Sequence, residues 1–266
     1  MNNESIERYL QAIPKAELHV HLEGSIQPTT LLILAERNGV DLPVHTVAEL
    51  QNWFTYRDFN HFIDIYLDIS RCLKTAEDYE LIAYEFGASM SQQNVRYAEV
   101  TFSPSTHYYA LGVSHDTYFA GLNRGRERAR VDFGVEMRWV FDIVRNVEDE
   151  TRNRLLADYT TSVAIEGKHD GVVALGLGGA EVGYPPEKFV TWFEKARDDP
   201  PLFNTTLGTE VRLLVDAFNF DLKTVNELIL NGVRFSFLPV QEKQAMEAAF
   251  RDEMERLQRD VLCQSS

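Results

Sequence analysis

The stretch AELHVHLE, residues 16–23, changes character at every step: Leu18, Val20 and Leu22 fall on one side, His19 and His21 on the other. A repeat of two is that of a β-strand, whose successive side chains point to opposite faces. Two imidazoles two residues apart therefore share a face, where they can grip one metal ion. By themselves they also read as two polar residues on a solvated strand face. The apolar opposite face, and the turn Glu23-Gly24-Ser25 that follows, weigh toward a site.

Three further runs carry the β-branched and aromatic residues of strands between Gly or Pro boundaries: VRYAEVTFS (95–103), VEMRWVFDIV (135–144) and GVVALGLG (171–178). Helical text lies between them. Residues 76–92 set Tyr79, Ile82, Phe86 and Met90 on one face, with Thr75 as N-cap. Residues 117–131 and 147–158 are charge-rich helices, and Pro186 opens another running to Arg197. Strands alternating with helices predict βα units, an α/β fold and a parallel sheet. Beyond residue 198 the texture is helical: 208–218, then 222–231 closed by Asn231-Gly232, then 240–261. Met246, Phe250, Met254 and Leu257 form one stripe of the last segment, which predicts a core-facing terminal helix.

An apolar share of 44% over 266 residues supports a packed core, and with no repeat or linker the expectation is a single domain spanning 1–266. Asp and Glu number 41 against 26 Lys and Arg, a net charge of −15, which argues against nucleic acid and against an anionic membrane surface as partners. The two cysteines, Cys72 and Cys263, make no disulfide framework and fit a reducing, cytoplasmic setting. The opening MNNESIERYLQAIPKAE lacks the basic start and apolar run of a secretory signal, and runs such as LLILA are too short to span a membrane.

Other segments can carry chemistry, each with a plainer reading beside it. LGLGGAE, 175–181, ends a strand in glycines that let a backbone approach a ligand, or that simply make a tight turn; Glu181 stands where a dinucleotide fingerprint needs glycine. Asp198-Asp199-Pro200-Pro201 offers two carboxylates, or a plain Asp-Pro turn. His45, His61, His107, His115 and His169 have no metal-ligand spacing and read as surface or structurally satisfied. Glu99 and Asp142 lie on strands, as site groups or as buried structural carboxylates.

Taken in order, PKAELHVHLEGS, VRYAEVTFSP, VVALGLGGAE, DDPPLFNTTL and FSFLPVQEK resemble the adenosine deaminase family of zinc aminohydrolases along nearly the whole chain. The resemblance implies a metal-dependent-hydrolase (β/α)8 TIM barrel with its site at the C-terminal ends of the strands. It implies hydrolysis of the exocyclic amine of a 6-aminopurine, with release of ammonia. Residue by residue, it makes His19, His21 and Asp198 the ligands of Zn2+. Asp199 becomes the acid that hydrogen-bonds the purine ring, Gly179 the backbone contact to the base, and Glu23 a position near the substrate sugar. Family members acting on adenosine carry Asp where this chain has Glu23; Glu is the residue of relatives acting on adenine or aminodeoxyfutalosine. Zinc lowers the pKa of a bound water to near 7, which supplies a nucleophile at neutral pH.

The family's HAGE-type block, with its third zinc histidine and acid Glu, and its later water-activating histidine have no counterpart here, so no catalytic residue is identified. Both belong between the helix after strand four and the Asp pair, yet Arg197 abuts Asp198. The barrel is therefore expected to be truncated at the 197/198 junction, lacking the region of strands 5 to 8, on the order of a hundred residues. Helices return the chain to the face opposite the site, roughly 17–20 Å away, against a zinc–ligand reach of about 2 Å. The expectation is a purine deaminase that has lost an internal segment. The alternative is a catalytically inactive relative acting as a binding or scaffold protein. Half a barrel also exposes sheet edges, which predicts poor stability or self-association.

Overall fold

The computed structural model describes residues 3–196 and 221–262. Asp198, Asp199, Cys263 and the helix expected at 208–218 lie outside the described residues.

Four strands form one parallel sheet in the order β1 (Lys15–His21), β2 (Val95–Phe102), β3 (Glu136–Val144), β4 (Val172–Gly178). Each matches its expected run to within two residues at either end. Leu22 and Glu23 leave β1 for a 3-10 turn, Glu23–Ser25. Helix α5 (Ala76–Gln92) has the expected bounds, because Thr75 and Asp78 close a capping box at its start. Helix α6 (His115–Phe133) and helix α7 (Glu150–Glu166) complete the crossovers. α7 outruns the expected 147–158 by two turns, since Thr160, Thr161, Val163 and Ala164 are buried against the sheet side. Beyond β4, a 3-10 turn at Pro186–Phe189 leads into α8 (Val190–Ala196).

Four helices fall outside the segments assigned from sequence: α1 (Asn3–Ala12), α2 (Pro28–Asn38), α3 (Val47–Trp53) and α4 (Phe59–Arg71). The last three lie between β1 and α5. α9 (Leu222–Phe235) runs four residues past the expected stop at Asn231-Gly232. Val233 is fully buried and Arg234 pairs with Glu227 and Glu247, so continuing the helix gains a core contact and two ion pairs. α10 (Val240–Leu257) ends in a π-helical turn, Gln258–Leu262.

The two faces of the sheet differ in kind. Val100 and Phe102 of β2, Trp139, Phe141 and Ile143 of β3, and Leu175 and Leu177 of β4 join one large core with Tyr79, Ile82 and Phe86 of α5 and Leu122 of α6. Burying each such side chain is worth about 1.5–3 kcal/mol. The alternate residues Glu99, Thr101 and Asp142 are buried as well, on the opposite face. A parallel sheet covered by helices outside and carrying polar groups inside is the wall of a barrel.

A second cluster joins the two ends of the described chain. Tyr9, Leu10 and Ile13 meet Val225, Ile229, Leu230 and Val233 of α9 and Phe250, Met254 and Leu257 of α10. The stripe on the last helix is thus core-facing, as expected. α9 packs along β1, where the final helix of a closed βα barrel belongs. Among the described residues, β1 and β4 each have a strand neighbour on one side only.

Candidate functional site

The C-terminal ends of the strands bring together groups far apart in sequence. His19 and His21 of β1 face each other edge-on, ring centroids 5.4 Å apart. The register of β1 against β2 shifts between Glu17 and Val20, so the ladder is irregular at His19; there the His19 amide donates to Glu17 Oε1 at 3.1 Å. His19 Nε2 and His21 Nδ1 are buried and have no hydrogen-bond partner. Burial, with His21 adjacent, pushes His19 down to about 4, so its ring is neutral at pH 7 and keeps a free lone pair. Buried polar nitrogens left unpaired are costly. Imidazole nitrogens are also the donor type zinc takes, and two of them supply half of a tetrahedral set. They fit a zinc site in part: among the described residues no group of three His, Cys, Asp or Glu can hold a metal.

Glu23 is fully buried. Its Oε1 accepts from His107 Nε2 at 2.8 Å, and the Tyr79 hydroxyl lies 2.7 Å from His107 Nδ1. Burial pushes the carboxyl up, but the hydrogen bond from His107 leads the effects that outweigh it and hold Glu23 below the usual carboxylate range. The second oxygen, Oε2, is buried and unpartnered. His107 arrives from a π-helical turn after β2, Thr106–Ala110, and stacks on Phe102 at 4.4 Å. It is structurally satisfied, as expected, but its partner lies 84 residues away and left no local signal.

The two strand carboxylates separate in role. Asp142 accepts from Ser103 Oγ at 2.6 Å; burial raises it, while the charge of nearby His21 pulls it down, and the net is raised. It sits at the site end of β3. Glu99 instead accepts from Tyr97 Oη and from the Phe237 amide, so it is a structural carboxylate of the barrel interior. Tyr66 of α4 adds an aromatic wall, its ring 6.2 Å from that of His21.

At the end of β4, Gly178 and Gly179 lie against the ends of two side chains that a Cβ would displace. A Cβ on Gly178 would meet Asp142 Oδ2 at 2.0 Å, and one on Gly179 would meet Asn146 Oδ1 at 2.0 Å. Gly179 also has φ +93°, a left-handed backbone. Of the six positions singled out by resemblance, the structure thus describes four: His19, His21, Glu23 and Gly179. Asp198 and Asp199 lie outside the described residues.

Four parallel βα units with paired imidazoles at the C-terminal end of the first strand define a protein of the (β/α)8-barrel class, truncated in this chain. The adenosine deaminase family model matches residues 14–198, and the chain belongs to that family. It is 34% identical over 198 residues to an adenine deaminase of Albidiferax ferrireducens, covering 74% of this chain and 55% of that protein. It is 36% identical over 191 residues to an aminodeoxyfutalosine deaminase of Streptomyces coelicolor, covering 71% and 48%. The chain spans about half the length of the curated relatives it matches. Among solved structures, an adenine deaminase from Arthrobacter aurescens superposes with TM-score 0.78 at 21% identity, over 92% of this chain and 99% of that one. An amidohydrolase with bound Zn, from a Burkholderia species, superposes with TM-score 0.83 at 18% identity, over 99% and 96%. At these identities the superpositions speak for the fold. No described helix is long and apolar enough to cross a membrane.

Proposed function

We propose that this chain carries the metal- and purine-binding half of a deaminase site whose reaction is the hydrolysis of a 6-aminopurine, releasing ammonia. The observation that carries the reading is the pair of buried, unpartnered imidazole nitrogens on His19 and His21 beside a fixed, buried Glu23. His19 and His21 would hold zinc; the family's carboxylate ligand, which there joins three histidines, corresponds in sequence to Asp198. Bound zinc supplies a water activated for attack at neutral pH. Gly179 would present its backbone to the base and Glu23 would bound the far side of the ligand; the family's ring-binding acid corresponds in sequence to Asp199. Glu rather than Asp at position 23 favours adenine or aminodeoxyfutalosine over adenosine, and relatives bearing both names support that choice.

The 197/198 junction joins parts of the family chain that are apart in its longer members. Two observations support this: the family match stops at residue 198, and α9 lies along β1 as a barrel's last helix does. The segment so lost includes the acid and the base of the reaction. The chain in this form therefore binds zinc and purine without turning the purine over, a soluble cytoplasmic protein in keeping with its single described cysteine, buried and unpaired. Ammonia release from adenine and from adenosine, with zinc supplied, tests the reading. No release above background is expected; zinc-dependent release that Glu23→Ala abolishes would overturn the loss of turnover.

A further inference from the structure

The Glu23 carboxylate has one oxygen committed and one free. His107 Nε2 and Glu23 Oε1 share a 2.8 Å hydrogen bond, the imidazole N–H donating to the carboxylate. His107 Nδ1 then accepts from the Tyr79 hydroxyl, which burial keeps protonated. The three side chains come from the turn after β1, the turn after β2 and α5. All are fully buried. His107 is further clamped by Phe102 stacked on its face and by Tyr79 edge-on at 5.3 Å. Neither ring has room to turn, so the Glu23 side chain is held in one orientation. Oε2, the remaining oxygen, is buried without a hydrogen-bond partner, in the electrostatic reach of the Tyr66 hydroxyl, His21 and Asp142. An unpaired buried carboxylate oxygen beside a binding site is a place for a ligand N–H or O–H.

We propose that His107, oriented by Tyr79, is a positioning residue: it fixes Glu23 so that Oε2 accepts a hydrogen bond from an N–H or O–H donor of the bound purine. This rests on the purine-binding reading above and extends it to residues that do not touch the ligand. The role differs from simple packing, because it depends on one donated hydrogen bond. Glutamine at 107 can donate a side-chain N–H to Glu23, and alanine cannot. Tyr79→Phe keeps the ring and its packing while removing the hydroxyl that orients His107.

The test is calorimetric titration of the purified full chain, first with zinc and then with adenine. His107→Ala is expected to weaken adenine binding by about 10-fold or more, the worth of a hydrogen bond to a charged group. Tyr79→Phe is expected to weaken it by roughly 3-fold, and His107→Gln to bring it back to within roughly 3-fold of wild type. Zinc affinity is expected to stay within about 2-fold throughout, since none of these residues holds the metal. Should His107→Ala fail to fold, Tyr79→Phe and His107→Gln carry the test. Adenine bound equally by wild type, His107→Ala and Tyr79→Phe would overturn the inference alone. So would a folded His107→Gln as impaired as His107→Ala. Zinc uptake without adenine binding in the wild type would overturn the purine reading and this inference with it.

Discussion

Phe237 donates its backbone amide to Glu99 Oε1 at 2.7 Å, across 138 residues of sequence. Tyr97 Oη donates to the same oxygen at 2.8 Å. This ties the segment between α9 and α10 to a carboxylate on the inner face of the sheet. Burial raises Glu99, and its hydrogen bonds only partly offset that rise. A carboxyl whose folded pKa exceeds its unfolded value stabilises the fold fully below the unfolded pKa and loses that contribution as pH rises through the folded one. Glu99→Gln keeps the acceptor and removes the charge. Its urea midpoint relative to wild type should therefore rise between pH 4 and 7, whereas Glu99→Ala, which strands two buried donors, should lose about 2–4 kcal/mol. A Gln variant less stable than wild type at pH 7 would contradict this assignment.

Lys15 is buried with its ammonium donating to the carbonyls of Gln11, Ile13 and Gln93 at 3.2, 2.9 and 2.8 Å. It thereby pins the end of α1 and the end of α5 to the start of β1. Lys15→Met fills similar volume but leaves three carbonyls unmet, and should cost about 2–4 kcal/mol by chemical denaturation. Burial pushes the ammonium down to about 8 from 10.5. Between those values the unfolded chain binds more protons, so this group's contribution rises with pH in that window. The wild-type chain should gain stability from pH 8 to 10 relative to Lys15→Met, and parallel pH profiles would refute the assignment.

β4 has a strand neighbour on one side only among the described residues, a template for pairing with a second copy. Light scattering with size exclusion should show a concentration-dependent dimer. Val173→Pro, at the second residue of β4, removes an amide from the strand and should shift the equilibrium toward monomer. A monomer at all concentrations would remove the edge from consideration.

Much of the half-barrel was legible in the chain itself. Alternation marked β1, β-branched and aromatic runs between Gly or Pro boundaries located β2, β3 and β4, and the Thr75 cap with one apolar stripe bounded α5. The far half of α7 was not legible, because its buried face is built from Thr160, Thr161 and Val163, whose β-branching blurs a helical signal. The stop expected at Asn231-Gly232 failed because the burial of Val233 outweighed a local turn preference. Within the site, His19 and His21 announced themselves by spacing. His107 did not, since only the folded turn after β2 brings it to Glu23. The sequence could not foretell that Glu99 and Asp142, alike on neighbouring strands, belong to different ends of the interior.

The central proposal is that His19 and His21 of β1 hold zinc without Asp198. α8 follows β4 and carries the chain back toward the opposite end of the barrel. Zinc titration of the purified chain, read by elemental analysis after desalting and by calorimetry, tests this directly. The account predicts about one zinc per chain, lost in His19→Ala and His21→Ala and unchanged within about 2-fold in Asp198→Ala. A wild-type chain that takes up no zinc, or an Asp198→Ala variant that loses it as the histidine variants do, would contradict the account.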